Sequence, residues 1–208
     1  MNDTRTDGEY EEFLRKSMIA ALAVTKSDAH IFYWSDQSYI WMIQTLYREL
    51  GITNRRVCLW LKNGQNPTPG VAFSKAFEPC TYGTVGKPFI STNLQNANEV
   101  MNGEMTTGNS LHEEVTDLWL SKRLAGKDYM HATSKPPKLH EKAIRRCTRP
   151  GDIILDSFSG SASSMIAAEQ LKRHVFAVEL DPVYCDLAMR RYEKLTGKKA
   201  KIIRHENE

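Results

Sequence analysis

The chain has 208 residues, 41% of them hydrophobic and 25% charged, with a formal net charge of +3. This length suits one domain with a sizeable core, and the composition is that of an ordinary globular protein. The mild positive charge permits a nucleic-acid partner without requiring one. The four scattered cysteines (Cys58, Cys80, Cys147, Cys185) have neither zinc-ligand nor redox spacing, and no apolar run is long enough to span a bilayer. Free thiols and a polar, acidic start point to the reducing cytoplasm.

Residues 1–8 are polar. Tyr10, Phe13, Leu14, Ala21 and Leu22 recur at helical spacing and predict a helix over 9–24. Residues 29–34 are β-branched and aromatic, as a strand would be. Ser35 or Asp36 caps a second helix carrying Ile40, Ile43, Tyr47 and Leu50, which stops at Gly51. A strand follows over 56–62, broken by Asn63-Gly64 and by 67–70. A third strand spans 78–84 and turns at Gly83 and Gly86. Residues 87–129 have little periodicity, apart from one helix or strand pair near 115–124. A helix over 138–148 begins after Pro136-Pro137. Trp34, Trp41, Trp60 and Trp119 fall in or beside these elements, so core burial is expected of them.

The segment from Pro150 to Pro182 carries the chemistry. Ile153, Ile154 and Leu155 form a short apolar run that ends at Asp156, as a buried parallel strand would. Residues 157–161 are small and polar, with Gly160 free to adopt a positive φ. Residues 165–173 suit a helix packed on a sheet. Residues 175–178 are a second strand, ending at Glu179. Residues 182–195 suit a helix stopped at Gly197, and 200–204 suit a strand. In a βαβ unit, ligands bind beyond the carboxyl ends of the strands. Asp156 and Glu179 both stand there, so two carboxylates face one crevice. Glu179 is placed to accept ribose hydroxyl protons and Asp156 to hold a cationic amino group. A dinucleotide would need a glycine triplet after the first strand, which residues 157–162 do not supply. The residues favour S-adenosylmethionine over NAD. An ordinary βαβ unit with solvated acids is the plain alternative.

His131-Ala132-Thr133-Ser134-Lys135-Pro136, followed by Gly151-Asp152-Ile153-Ile154-Leu155-Asp156-Ser157-Phe158-Ser159-Gly160-Ser161, resembles the DNA amino-methyltransferases. The order matches their β-type permutation, in which the cofactor half follows the catalytic half. The family's usual wording is His-Pro-Thr-x-Lys-Pro, then Asp-Pro-Phe-x-Gly-Ser-Gly-Thr-Thr. This chain departs from it at Ala132, Ser157, Ala162 and Ser163. Residues 179–185 and 191–200 also look like the end of phage and prophage members.

The resemblance implies a Rossmann-like α/β fold with a doubly wound, mostly parallel sheet in a single domain over 1–208. It implies S-adenosylmethionine as cofactor, held by Ser134 and Lys135 beside the methionine end, and by Asp156, Phe158, Gly160, Ser161, Glu179 and Asp181. Phe158 is placed against the cofactor or in the core. Asp181 serves the adenine or caps the following helix. The resemblance further implies double-stranded DNA as partner, with a target-recognition insert over 87–130. There Lys122, Arg123 and Lys127 would meet phosphates, or else form an ordinary charged surface. Adenine is the favoured target over cytosine, in a phage or restriction–modification setting.

One family block is absent: an Asp, Asn or Ser followed by Pro-Pro and an aromatic residue, which positions the target amine. The only Pro-Pro is Pro136-Pro137, inside the cofactor block. The expectation is a sheet short of one central strand, with no catalytic residue assigned in this chain. A partner polypeptide or a homodimer would supply the missing segment. The alternative is a cofactor-binding half without chemistry of its own.

Overall fold

The computed structural model describes residues 5–66, 70, 71, 73–91, 116–121, 135–201 and 203. Helix α1 (Asp7–Ala23) starts at a capping box: Thr6 Oγ1 accepts the Glu9 N–H at 3.3 Å, and Glu9 Oε2 accepts the Thr6 N–H at 2.8 Å. Asp36 caps a single 3₁₀ turn (Gln37–Tyr39) that leads into α2 (Ile40–Glu49). Leu14 and Met18 of α1 pack with Met42, Ile43, Leu46 and Tyr47 of α2 and with Ile52. Each such side chain contributes about 1.5–3 kcal/mol on full burial, more than the capping interactions supply. Trp41 points away from this core and is 59% exposed, against the expected burial. It sits beside Met42 and Ile43 in sequence but on the outer face of a one-sided helix.

Strands β1 (Ala29–Trp34), β2 (Thr53–Asn66), β3 (Lys75–Val85) and β4 (Leu118–Leu120) form one sheet in the order β1-β3-β2-β4. β3 runs antiparallel to β1 and β2, while β4 is parallel to β2. β2 continues through Asn63-Gly64, where a break was expected; the pairing absorbs this as a register shift between Leu61 and Asn66. Gly83 lies inside β3 opposite Ile31 and Asn54, where a turn was expected. A Cβ there would sit 2.7 Å from Ile52 Cγ2 and 2.8 Å from Tyr47 Cε2, so glycine is needed for close packing. The turn falls at Gly86, with φ +58°.

The second half holds α3 (Pro137–Cys147), β5 (Ile153–Asp156), α4 (Ser163–Gln170), β6 (His174–Ala177) and α5 (Pro182–Thr196). β5 and β6 pair in parallel, from Ile153 opposite His174 to Asp156 opposite Ala177. Ile144 of α3 and Ala167 and Ala168 of α4 cover one face of this pair through Ile154 and Val175. The other face leaves Ile153, Leu155 and Phe176 exposed. α3 joins the halves: Leu139 packs with Trp60 and Trp119, and Lys142 donates to the Leu118 carbonyl at 2.9 Å.

The fold class is α/β. Among the described residues the two sheets share no strand pairing, and β1 and β5 each keep one edge without a partner strand. The Phe158 ring, just past β5, lies 6.4 Å from that of Tyr33 in β1 and 5.8 Å from that of Phe13 in α1. These ring contacts join the end of β5 to the half that holds α1 and β1. Ala200, Lys201 and Ile203 are not in a strand, and the remainder of the expected final strand lies outside the described residues. Among the described residues, no helix is long and apolar enough to cross a membrane.

Candidate functional site

Asp156 is the last residue of β5. Its Oδ1 accepts the Phe158 N–H at 3.1 Å and its Oδ2 accepts the Ser164 hydroxyl. Each carboxylate oxygen has two acceptor positions, so one on each remains for a ligand. The turn from Ser157 to Ala162 follows. Gly160 has φ +50°, and a side chain there would meet no atom within 4 Å, so open space borders the turn. The Ser161 carbonyl accepts a guanidinium N–H from Arg191 of α5, while Ser161 itself is buried.

Glu179 lies two residues past β6. Its Oε2 accepts the Gly160 N–H at 2.6 Å, and its Oε1 accepts the Leu180 and Asp181 N–H groups, both at 2.9 Å. Both positions on Oε1 are therefore filled and one on Oε2 is open, enough for one ribose hydroxyl in this conformation. Of the two roles expected for Asp181, the structure displays the cap: its carboxylate accepts the Val183 N–H at 2.9 Å at the start of α5. Phe158 is 54% exposed, so its ring offers a free face beside the turn.

Lys135 is engaged by the four-stranded sheet. Its Nζ lies 3.5 Å from Glu78 Oε2 and 5.0 Å from the centre of the Trp34 ring. Lys62 donates to the same Glu78. Burial pushes the Glu78 carboxyl up, but the Lys62 hydrogen bond and the two ammonium charges together hold it below its ordinary value. Lys135 thus joins the motif before α3 to the four-stranded sheet. Ser134, Lys122, Arg123 and Lys127 lie outside the described residues.

Sequence reasoning missed three further residues near Asp156: His140, Ser163 and Ser164. His140 of α3 has Nε2 3.1 Å from Ser163 Oγ, and Ser164 follows at the start of α4. Burial pushes His140 down to about 4, against the pull of the Asp156 charge, so the ring is neutral near pH 7. A serine pair at a helix start reads as a cap in sequence; here the cap position is Ala162, and the serines face inward.

The residues fit S-adenosylmethionine. Asp156 has acceptor positions for the amino group, Glu179 has one for a ribose hydroxyl, and Phe158 presents an exposed apolar ring beside the turn. Another cleft, lined by Gly151, Ile153, Arg173 and His174, opens at the amino ends of β5 and β6, away from the end where such folds bind ligands. Among the described residues, no three His, Cys, Asp or Glu side chains gather to hold a metal ion.

A family model described as DNA methylase matches residues 1–190. The chain is 26% identical over 191 residues to the type II methyltransferase M2.DpnII of Streptococcus pneumoniae, covering 89% of this chain and 68% of that protein. Among solved structures, the M1.HpyAVI–SAM complex superposes with a TM-score of 0.71 at 21% identity, covering 87% of this chain and 82% of the other. The cytosine-N4-specific PvuII DNA methyltransferase superposes with a TM-score of 0.67 at 15% identity, covering 95% and 79%. These two share the fold with this chain.

Proposed function

This chain belongs to the DNA methylase family, whose cofactor is S-adenosylmethionine, and from that premise we propose that it methylates the exocyclic amine of adenine in double-stranded DNA. The observation that carries the reading is the pairing of Asp156 and Glu179 at the carboxyl ends of adjacent parallel strands, on either side of the Gly160 turn. Asp156 takes the amino group of the cofactor and Glu179 takes its ribose. The cofactor supplies an activated methyl group. The protein's share is to hold that group against a target nitrogen, which is catalysis by positioning. The base must leave the helix to reach such a crevice. Adenine is preferred because residues 179–185 and 191–200 resemble adenine-modifying phage enzymes, and a restriction–modification setting agrees with the type II relative.

A second reading rests on the divided sheet. No Pro-Pro-aromatic block is present in the sequence, and among the described residues β1 and β5 each keep one unpaired edge. On this reading the chain binds the cofactor, and a strand from another polypeptide or from a second copy completes the sheet and the chemistry. Transfer of labelled methyl from S-adenosylmethionine to mixed-sequence DNA, followed by nucleoside analysis, separates the two. N6-methyladenine formed by this chain alone supports the first; N4-methylcytosine would correct its target. Cofactor binding without transfer supports the second.

A further inference from the structure

Ser163 and Ser164 open α4, and both are buried. Burying a hydroxyl is unfavourable unless it is hydrogen-bonded, so its partners indicate why it is there. Ser164 Oγ donates to Asp156 Oδ2, eight residues back in the chain. Ser163 Oγ and His140 Nε2 share a hydrogen bond at 3.1 Å across the α3–α4 contact. No side chain caps α4, whose cap residue Ala162 is left-handed at φ 58°, ψ 37°. The helix start is therefore fixed by these tertiary bonds and not by a local cap.

A carboxylate bound to one donor still rotates about its last torsion, which is broad for Asp. Asp156 has two donors on different oxygens: the Phe158 N–H on Oδ1 and the Ser164 hydroxyl on Oδ2. Two anchors define the carboxylate plane and aim the remaining acceptor positions. We infer that Ser164 is a positioning residue for the cofactor: its hydroxyl orients Asp156 toward the amino group, while His140 steadies the helix start through Ser163. This inference rests on the reading of Asp156 given above.

Calorimetric titration of the full chain with S-adenosylmethionine and with 5′-methylthioadenosine tests it, since the second ligand lacks the amino acid tail. S164A is expected to bind S-adenosylmethionine at least 10-fold more weakly while its affinity for methylthioadenosine stays within 2-fold. S164T, which keeps the hydroxyl, is expected to restore binding. S164C, nearly isosteric with a weak donor, is expected to show the same selective loss, and it serves if S164A does not fold. Unchanged binding of both ligands, or an equal loss of both, overturns the inference; the equal loss would mean that the serine only supports the turn. If the wild type binds neither ligand, or if D156N binds both as the wild type does, the reading of Asp156 itself fails and takes this inference with it.

Discussion

The backbone N–H of Gly160 donates to the Glu179 carboxylate at 2.6 Å, joining the turn after β5 to the acid beyond β6. The same carboxylate gathers the N–H groups of Leu180 and Asp181. Glu179→Ala leaves three donors without this acceptor and removes the proposed ribose contact. It is expected to lower stability by about 1–3 kcal/mol and to weaken S-adenosylmethionine binding by roughly 10- to 100-fold, about 1.4–2.8 kcal/mol. Urea unfolding and calorimetry check the two effects separately.

Ala162 holds φ 58° and ψ 37°, a left-handed conformation that costs an L-residue roughly 1–2 kcal/mol. The family's usual wording has glycine there. Ala162→Gly is expected to relieve that cost and return part of it through the looser unfolded chain. The net expectation is a gain of about 0.5–1 kcal/mol, read as a higher urea midpoint at unchanged slope.

Gly83 makes the opposite case. A methyl group there meets Ile52 and Tyr47 side chains well inside contact distance, in a fully buried cluster. Gly83→Ala is expected to destabilise by about 1–3 kcal/mol through overpacking. A thermal melt unchanged from the wild type would show that the cluster can yield.

His140 makes stability depend on pH. Its ordinary value of 6.5 is lowered to about 4 by burial. Below pH 6.5 the unfolded chain takes up a proton that the folded chain refuses. This source of stability is therefore complete above 6.5 and is lost as pH falls toward 4, by roughly 1.4 kcal/mol per pH unit. His140→Asn is expected to flatten that part of the profile in urea titrations at stepped pH, whatever its effect at neutral pH.

Local signals were readable where one physical preference dominated. Asp36, Gly51, Gly160 and Gly197 mark the caps and turns that the residue types suggest, and Asp156 closes its strand as the apolar run implies. Tertiary packing overrode local preference elsewhere. Asn63-Gly64 does not end β2, because β3 continues alongside. Gly83 is a packing glycine, a role that sequence cannot tell from a turn. The helix expected over 165–173 stops at Gln170, because Lys172 turns left-handed at φ 61° and Arg173 folds back onto Thr148. The placement of Asp156 and Glu179 at the ends of neighbouring strands was legible from the apolar runs before them. The Ser164 bond and the Lys135–Glu78 ion pair were not, since both depend on side-chain direction across separate elements.

The most direct test of the cofactor pocket is calorimetric titration of S-adenosylmethionine into the wild-type chain and into the soluble variant Asp156→Asn. One bound cofactor per wild-type chain, with affinity at least 10-fold lower in the variant, is the expected result. No heat of binding to the wild type, or equal affinity in both proteins, would contradict the assignment of the β5–β6 crevice as the cofactor site.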